Sequence, residues 1–194
     1  WNINIPPQQT TKPYKDRKMD IFYKNERTAL FIDGSNFHET IKQMSLNVDY
    51  HSLLKLFRTE TQLFRAYYFT AVKTDEDDYT PIQPLIDWMD YNGYTLITKP
   101  TKQYSTPGNS RPRVKGNMDV EIAVTMMNMA SHVDHMILFS GDGDFSYLLH
   151  ELKNRGVRTT VISSLTASTL SDDLRRTADH FIDIDALRDS ISRK

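Results

Sequence analysis

Two short apolar runs in this chain end in aspartate-rich turns. Thr28–Ile32 (TALFI) leads into Asp33-Gly34-Ser35-Asn36, and His135–Phe139 (HMILF) leads into Ser140-Gly141-Asp142-Gly143-Asp144. Apolar runs of this length bounded by turn residues read as buried strands. In a parallel sheet, the residues that follow the strands collect along one edge. Asp33, Asp142 and Asp144 are therefore expected close together. Crowded carboxylates repel and raise one another's pKa, and a divalent cation removes that cost. Oxygen ligands without thiolate point to Mg²⁺ or Mn²⁺. Taken alone, each turn serves equally well as a helix cap: Asp142 or Asp144 before a helix from Phe145, Ser35 or Asn36 before the helix after the first strand.

A phosphate loop is the rival reading. GDGD lacks the lysine and Ser/Thr of a Walker loop, and DGSNF is not the G-x-G-x-x-G of a dinucleotide site. Asp119 stands at the start of a long, largely apolar helix, expected over 117–132. It is either an acid favoured by the helix dipole or a fourth ligand. The preceding segment, Lys99–Gly116, carries Lys99, Lys102, Arg111, Arg113 and Lys115 and no acid, and is expected to be irregular. A basic flap beside an acidic metal pocket suits a phosphodiester; a solvated loop is the plainer alternative. The histidines lack metal-ligand spacing, and the acidic run 75–78 reads as a solvated loop.

These residues need elements to position them. Further strands are expected at Leu63–Ala71, Tyr94–Thr98, Val157–Ile162 and Phe181–Ile184. Helices are expected at Asn36–Met44, Asp49–Glu60 with Asp49 as cap, Thr80 to Tyr91, Phe145–Asn154, Ala167–Ala178 and Ala186–Ser192. Short apolar strands alternating with helices give a central, mainly parallel sheet covered on both faces, an α/β/α sandwich of Rossmann-like type. Residues 1–24, polar with three prolines, are expected as a flexible arm before a domain of residues 25–194, with Asp20 to Tyr23 able to dock on it. The 194 residues carry 24 Lys+Arg against 25 Asp+Glu, so any nucleic-acid contact must come from a local patch. The absence of cysteine excludes disulfides, thiolate zinc sites, iron–sulfur clusters and a cysteine nucleophile, and fits a cytoplasmic setting. No run is long and apolar enough to span a membrane.

FIDGSN (31–36), KGNMD (115–119) and SGDGDF (140–145) resemble the signature blocks of NYN domains, PIN-like ribonuclease domains, and the chain is similar to their LabA-like bacterial branch. RAYYFTA, PLIDWMDYNGY and LRRTADHFIDI fit that branch too. The resemblance spans roughly residues 24–192. It implies a PIN-like α/β/α fold, a Mg²⁺ or Mn²⁺ site and cleavage of RNA by metal-activated water. Asp33, Asp119, Asp142 and Asp144 would hold the metal. Asn36 would orient ligands or phosphate oxygens, and Ser35, Ser140 and Thr125 would support the acids. Similar sequences carry a second aspartate six residues after the first in the helix block, where this chain has Thr125. Glu121 is no obvious substitute, being turned roughly 200° away.

The expectation is a metal-dependent endoribonuclease acting on single-stranded or structured RNA. The alternative is a catalytically weakened domain that binds RNA or a protein as a regulatory module, motivated by Thr125. A receiver-like phosphoacceptor would need a lysine where Ser163-Ser164 stands, and a phosphatase would need DxD after the first strand. Trp88, Met89, Tyr91 and Tyr94 could serve either a homodimer surface or the core.

Overall fold

The computed structural model describes residues 21–72, 82–104, 113–115 and 117–193, with backbone alone for 102–104 and 113–115. The acidic run 75–78, Thr80-Pro81 and Arg111 lie outside the described residues. Among those described, the main sheet is built from β1 (Arg27–Asp33), β2 (Gln62–Val72), β3 (Thr95–Pro100), β6 (His135–Phe139), β7 (Arg158–Ser163) and β8 (His180–Asp183). Its order is β3-β2-β1-β6-β7-β8, and every pairing is parallel. The helices are α1 (Gly34–Gln43), α2 (Tyr50–Glu60), α3 (Gln83–Tyr91), α4 (Asp119–Met129), α5 (Ser146–Asn154), α6 (Asp172–Thr177) and α7 (Arg188–Ile191).

Strand alternation divides the core in two. Leu30 and Ile32 of β1 face Phe37 of α1, Leu53 and Phe57 of α2, Met89 of α3 and Ile191 of α7. Ala29 and Phe31 face Ile122 and Met126 of α4, Leu149 and Leu152 of α5 and Leu174 of α6. All four β1 residues are fully buried, as a strand covered on both faces requires. The result is the expected three-layer α/β/α sandwich. Met89 and Tyr94 belong to its core, whereas Tyr91 is 88% exposed.

The chain enters the sheet in the middle. It builds outward through β2 and β3, then crosses to the other side of β1 for β6. Strand order thus reverses between β1 and β6, and ligands of such sheets lie in the crevice outside the carboxyl ends at that point. Asp33 is the last residue of β1, and Ser140 directly follows β6.

Three elements depart from the sequence expectation. The basic segment is not irregular throughout: β4 (Lys102–Tyr104) and β5 (Arg113–Lys115) pair as an antiparallel ribbon. Helix α6 starts at Asp172 rather than Ala167. The Ser164 hydroxyl accepts the backbone N–H groups of Thr166 and Ala167, and the Ser171 N–H goes to Gly141 O, so these donors are committed outside a helix. The last expected helix is a 3₁₀ turn, Ile184–Leu187, followed by the short α7. The Asp49 cap is as expected, accepting from the N–H groups of His51 and Ser52.

At the opposite end of the sheet, Phe22 packs edge-on against Phe57 and beside His135. His135 is fully buried. Arg158 donates to its Nδ1 at 3.1 Å, which leaves Nε2–H to donate to Thr160 Oγ1 at 2.8 Å. Glu26 Oε2 lies 3.8 Å from the same Nδ1 but is committed to the Arg158 guanidinium. Burial, then the Arg158 charge, lower the His135 pKa to about 3. The folded value lies below the unfolded one, so the neutral ring's contribution is complete above the unfolded pKa. It is lost as pH falls from about 6.5 toward the folded value, at about 1.4 kcal/mol per pH unit. Urea unfolding is expected to show a loss of about 2 kcal/mol between neutral pH and about pH 5 from this group. A flat stability profile over that window would contradict the neutral, buried state.

Candidate functional site

Asp33 ends β1 and caps α1 in one step. Its Oδ1 accepts the Asn36 N–H at 3.2 Å and the Ser35 hydroxyl at 3.0 Å, and its Oδ2 accepts the Ser140 hydroxyl at 3.0 Å. The carboxylate is nearly buried, at 4% exposed. Ser140 Oγ also accepts the Asp142 N–H at 3.2 Å, so one hydroxyl ties the end of β1 to the turn after β6. The Asn36 side chain makes a second tie, its Oδ1 accepting the Gly141 N–H at 2.9 Å.

This turn aims the remaining acids. Asp142 caps the 3₁₀ turn Gly143–Phe145, accepting the Asp144 N–H at 3.0 Å. Asp119 opens α4, where the Asn117 carbonyl oxygen accepts its N–H at 2.7 Å and the Asn117 amide donates to its carboxylate. Asp119, Asp142 and Asp144 each offer an oxygen, and these atoms lie within 4.8 Å of one another. The cap reading and the ligand reading are therefore compatible, because a carboxylate has lone pairs for both. Asp33 is the most engaged of the acids, its two oxygens accepting three hydrogen bonds. Three of the four expected acids thus offer converging oxygens, and Asp33 lines the same cleft as Asp119 and Asp142.

Burial pushes the Asp119 carboxyl above its ordinary range. The Asn117 amide opposes this, and the charges of Asp142, Asp33 and Asp144 add to the upward push. A cleft of about 490 Å³ opens here, lined by Asp33, Ser35, Asn36, Glu39, Asn117, Asp119, Asp142 and Thr169. Among the described residues no lysine or arginine lines it. An all-oxygen donor set with this repulsion fits a hard divalent ion such as Mg²⁺ or Mn²⁺.

Ser35 and Ser140 support the acids as expected, both through Asp33. Thr125 is not brought to them: its hydroxyl donates to Glu121 O at 2.7 Å, one turn back on its own helix. Six residues of helix are about 9 Å of rise and about one and two-thirds turns, a net angular separation of roughly 120°, so position 125 is remote from Asp119. Lys99 is paired with Glu121 at 2.8 Å. Arg111 and the side chains of Lys102, Arg113 and Lys115 lie outside the described residues. Asn117, Glu39 and Thr169 were missed by the sequence reading. Asn117 had a signal, an Asx residue just before an acid at a helix start. Glu39 follows Asn36 by three residues on a helix, a spacing that shares a side. Thr169 had none, since only the return of loop 164–171 brings it there.

A family model described as NYN domain matches residues 27–185. The Low amplitude and bright protein LabA of Synechococcus elongatus is 31% identical over 174 residues, covering 88% of this chain and 90% of that protein. The crystal structure of a protein of unknown function from Vibrio parahaemolyticus is similar with a TM-score of 0.68 at 26% identity, covering 86% of this chain and 96% of that one.

Proposed function

This chain belongs to the NYN domain family, whose fold is of the PIN-like nuclease type, and from that premise we propose that it is a metal-dependent endoribonuclease that hydrolyses RNA phosphodiesters with an activated water. The observation that carries the reading is the convergence of Asp119, Asp142 and Asp144 from two elements at the sheet's switch point. These three would hold Mg²⁺ or Mn²⁺. When bound, such an ion lowers the pKa of water and offsets charge building up at a scissile phosphate.

The chain's own residues supply the rest. Asp33 is fixed by Ser35 and Ser140 and holds the two acidic turns in register. Asn117 orients the Asp119 carboxylate, as supporting hydrogen bonds do for metal ligands. Asn36 keeps its carbonyl oxygen on Gly141 and leaves its amide N–H groups for the substrate. Lys102, Arg111, Arg113 and Lys115 would hold phosphates of the strand, Lys99 being already committed to Glu121. No side-chain nucleophile is required.

The second reading, a module that binds RNA or a protein without cutting, rests on Thr125. The separation of position 125 from Asp119, about 9 Å along α4, supports the nuclease instead. Thr125→Asp is therefore expected to change manganese-stimulated RNA cleavage by no more than about threefold. Its stability cost is about 0.5 kcal/mol from the like charge of Glu121 one turn away. A silent natural chain that gains cleavage on this substitution would establish the binding module.

A further inference from the structure

We propose that Glu39, acting with Asn36, reads the ribose 2′-hydroxyl of the bound strand and so selects RNA over DNA; this rests on the RNA-directed reading above. Both side chains line the cleft, three residues apart on α1. Glu39 is held from behind. Its Oε1 accepts Gln43 Nε2 at 3.0 Å, and Gln43 Oε1 accepts the Ser168 N–H at 2.9 Å and the Ser168 hydroxyl at 3.2 Å. Loop 164–171 is itself strapped to α1 by the Thr40–Thr169 hydroxyl pair at 2.7 Å. The other Glu39 oxygen has no partner among the described residues, and no ion pair there involves this carboxylate.

A carboxylate outside the converging acids, in a cleft that takes a polyanion, repels phosphate. It suits a hydroxyl, because an ionised carboxylate only accepts hydrogen bonds. The amide of Asn36 supplies the matching donor, its own carbonyl oxygen being occupied by Gly141. The ribose 2′-hydroxyl is both donor and acceptor, and it distinguishes RNA from DNA. On ribose the pair is satisfied in both directions. On deoxyribose Asn36 loses its acceptor, and Glu39 contributes repulsion alone.

The test is fluorescence anisotropy with an end-labelled single-stranded RNA and a DNA of identical sequence, in Ca²⁺, with strand integrity checked on a gel. The natural chain is expected to favour RNA by about tenfold, the worth of one charge-assisted hydrogen bond. In Glu39→Ala the ratio falls severalfold, to the part that the Asn36 amide supplies alone, while DNA binding tightens, because a negative charge has gone. An unchanged ratio in Glu39→Ala, or no preference in the natural chain, overturns the inference and leaves the RNA reading standing. Failure to bind either strand overturns the RNA reading itself, and this inference with it.

Discussion

Asp142→Asn is expected to reduce manganese-stimulated RNA cleavage on the order of a thousandfold, because it removes one of three converging carboxylates worth several kcal/mol of charge stabilisation at the reacting phosphate. The substitution is a clean one. Asparagine keeps a side-chain oxygen that can accept the Asp144 N–H, and it caps helices as well as aspartate does. The turn therefore survives. Stability in the absence of metal is expected to hold or rise slightly, since the Asp142 charge is among the groups pushing the Asp119 carboxyl up. Lost activity with unchanged or higher stability is the mark of a functional acid. Full activity in the variant would remove Asp142 from the chemistry.

Gly141→Ala is expected to be the most damaging small change for the fold of the site. A Cβ there would lie 2.1 Å from Thr169 O, 2.7 Å from Thr169 C and 2.8 Å from Leu170 Cα, all backbone atoms. The loop cannot retreat freely. The Ser171 N–H donates to Gly141 O at 2.8 Å, and Thr40 and Gln43 hold the same loop to α1. Overpacking of this kind costs about 3 kcal/mol. Gly143→Ala provides the contrast. Its Cβ would approach only the Ser171 side chain, with the hydroxyl at 2.8 Å, and a serine hydroxyl can rotate away. Urea unfolding of both variants checks the difference: Gly141→Ala should lower stability well beyond Gly143→Ala. Equal, small effects would mean that the two loops are not locked together.

Much of this architecture was legible before the structure. The run HMILF is a strand with the expected bounds because all its residues are buried and turn residues flank it. The edge holding Asp33, Asp142 and Asp144 followed from parallel pairing alone, and the Asp49 cap from residue type and position. The detail of the site was less legible because it depends on which oxygens are already occupied. Residue type alone does not tell Asp33 from the other acids, whereas Ser35, Asn36 and Ser140 all converge on it. Ser140 is 107 residues away in sequence, and a contact of that kind has no local signature. The same holds for Glu39, whose orientation depends on Ser168 across 125 residues from Gln43. Thr125 drew attention as a departure from similar sequences, but helix geometry places it a turn and more beyond Asp119.

Asp119, Asp142 and Asp144 are expected to hold one hard divalent ion together. Isothermal titration of Mn²⁺ into the natural chain and into Asp142→Asn tests it without requiring a substrate. Saturable binding is expected in the natural chain, with a loss of about a hundredfold or more in affinity in the variant, beyond the roughly 10- to 100-fold of a supporting residue. Equal affinity in the two proteins, or no binding in either, would contradict it.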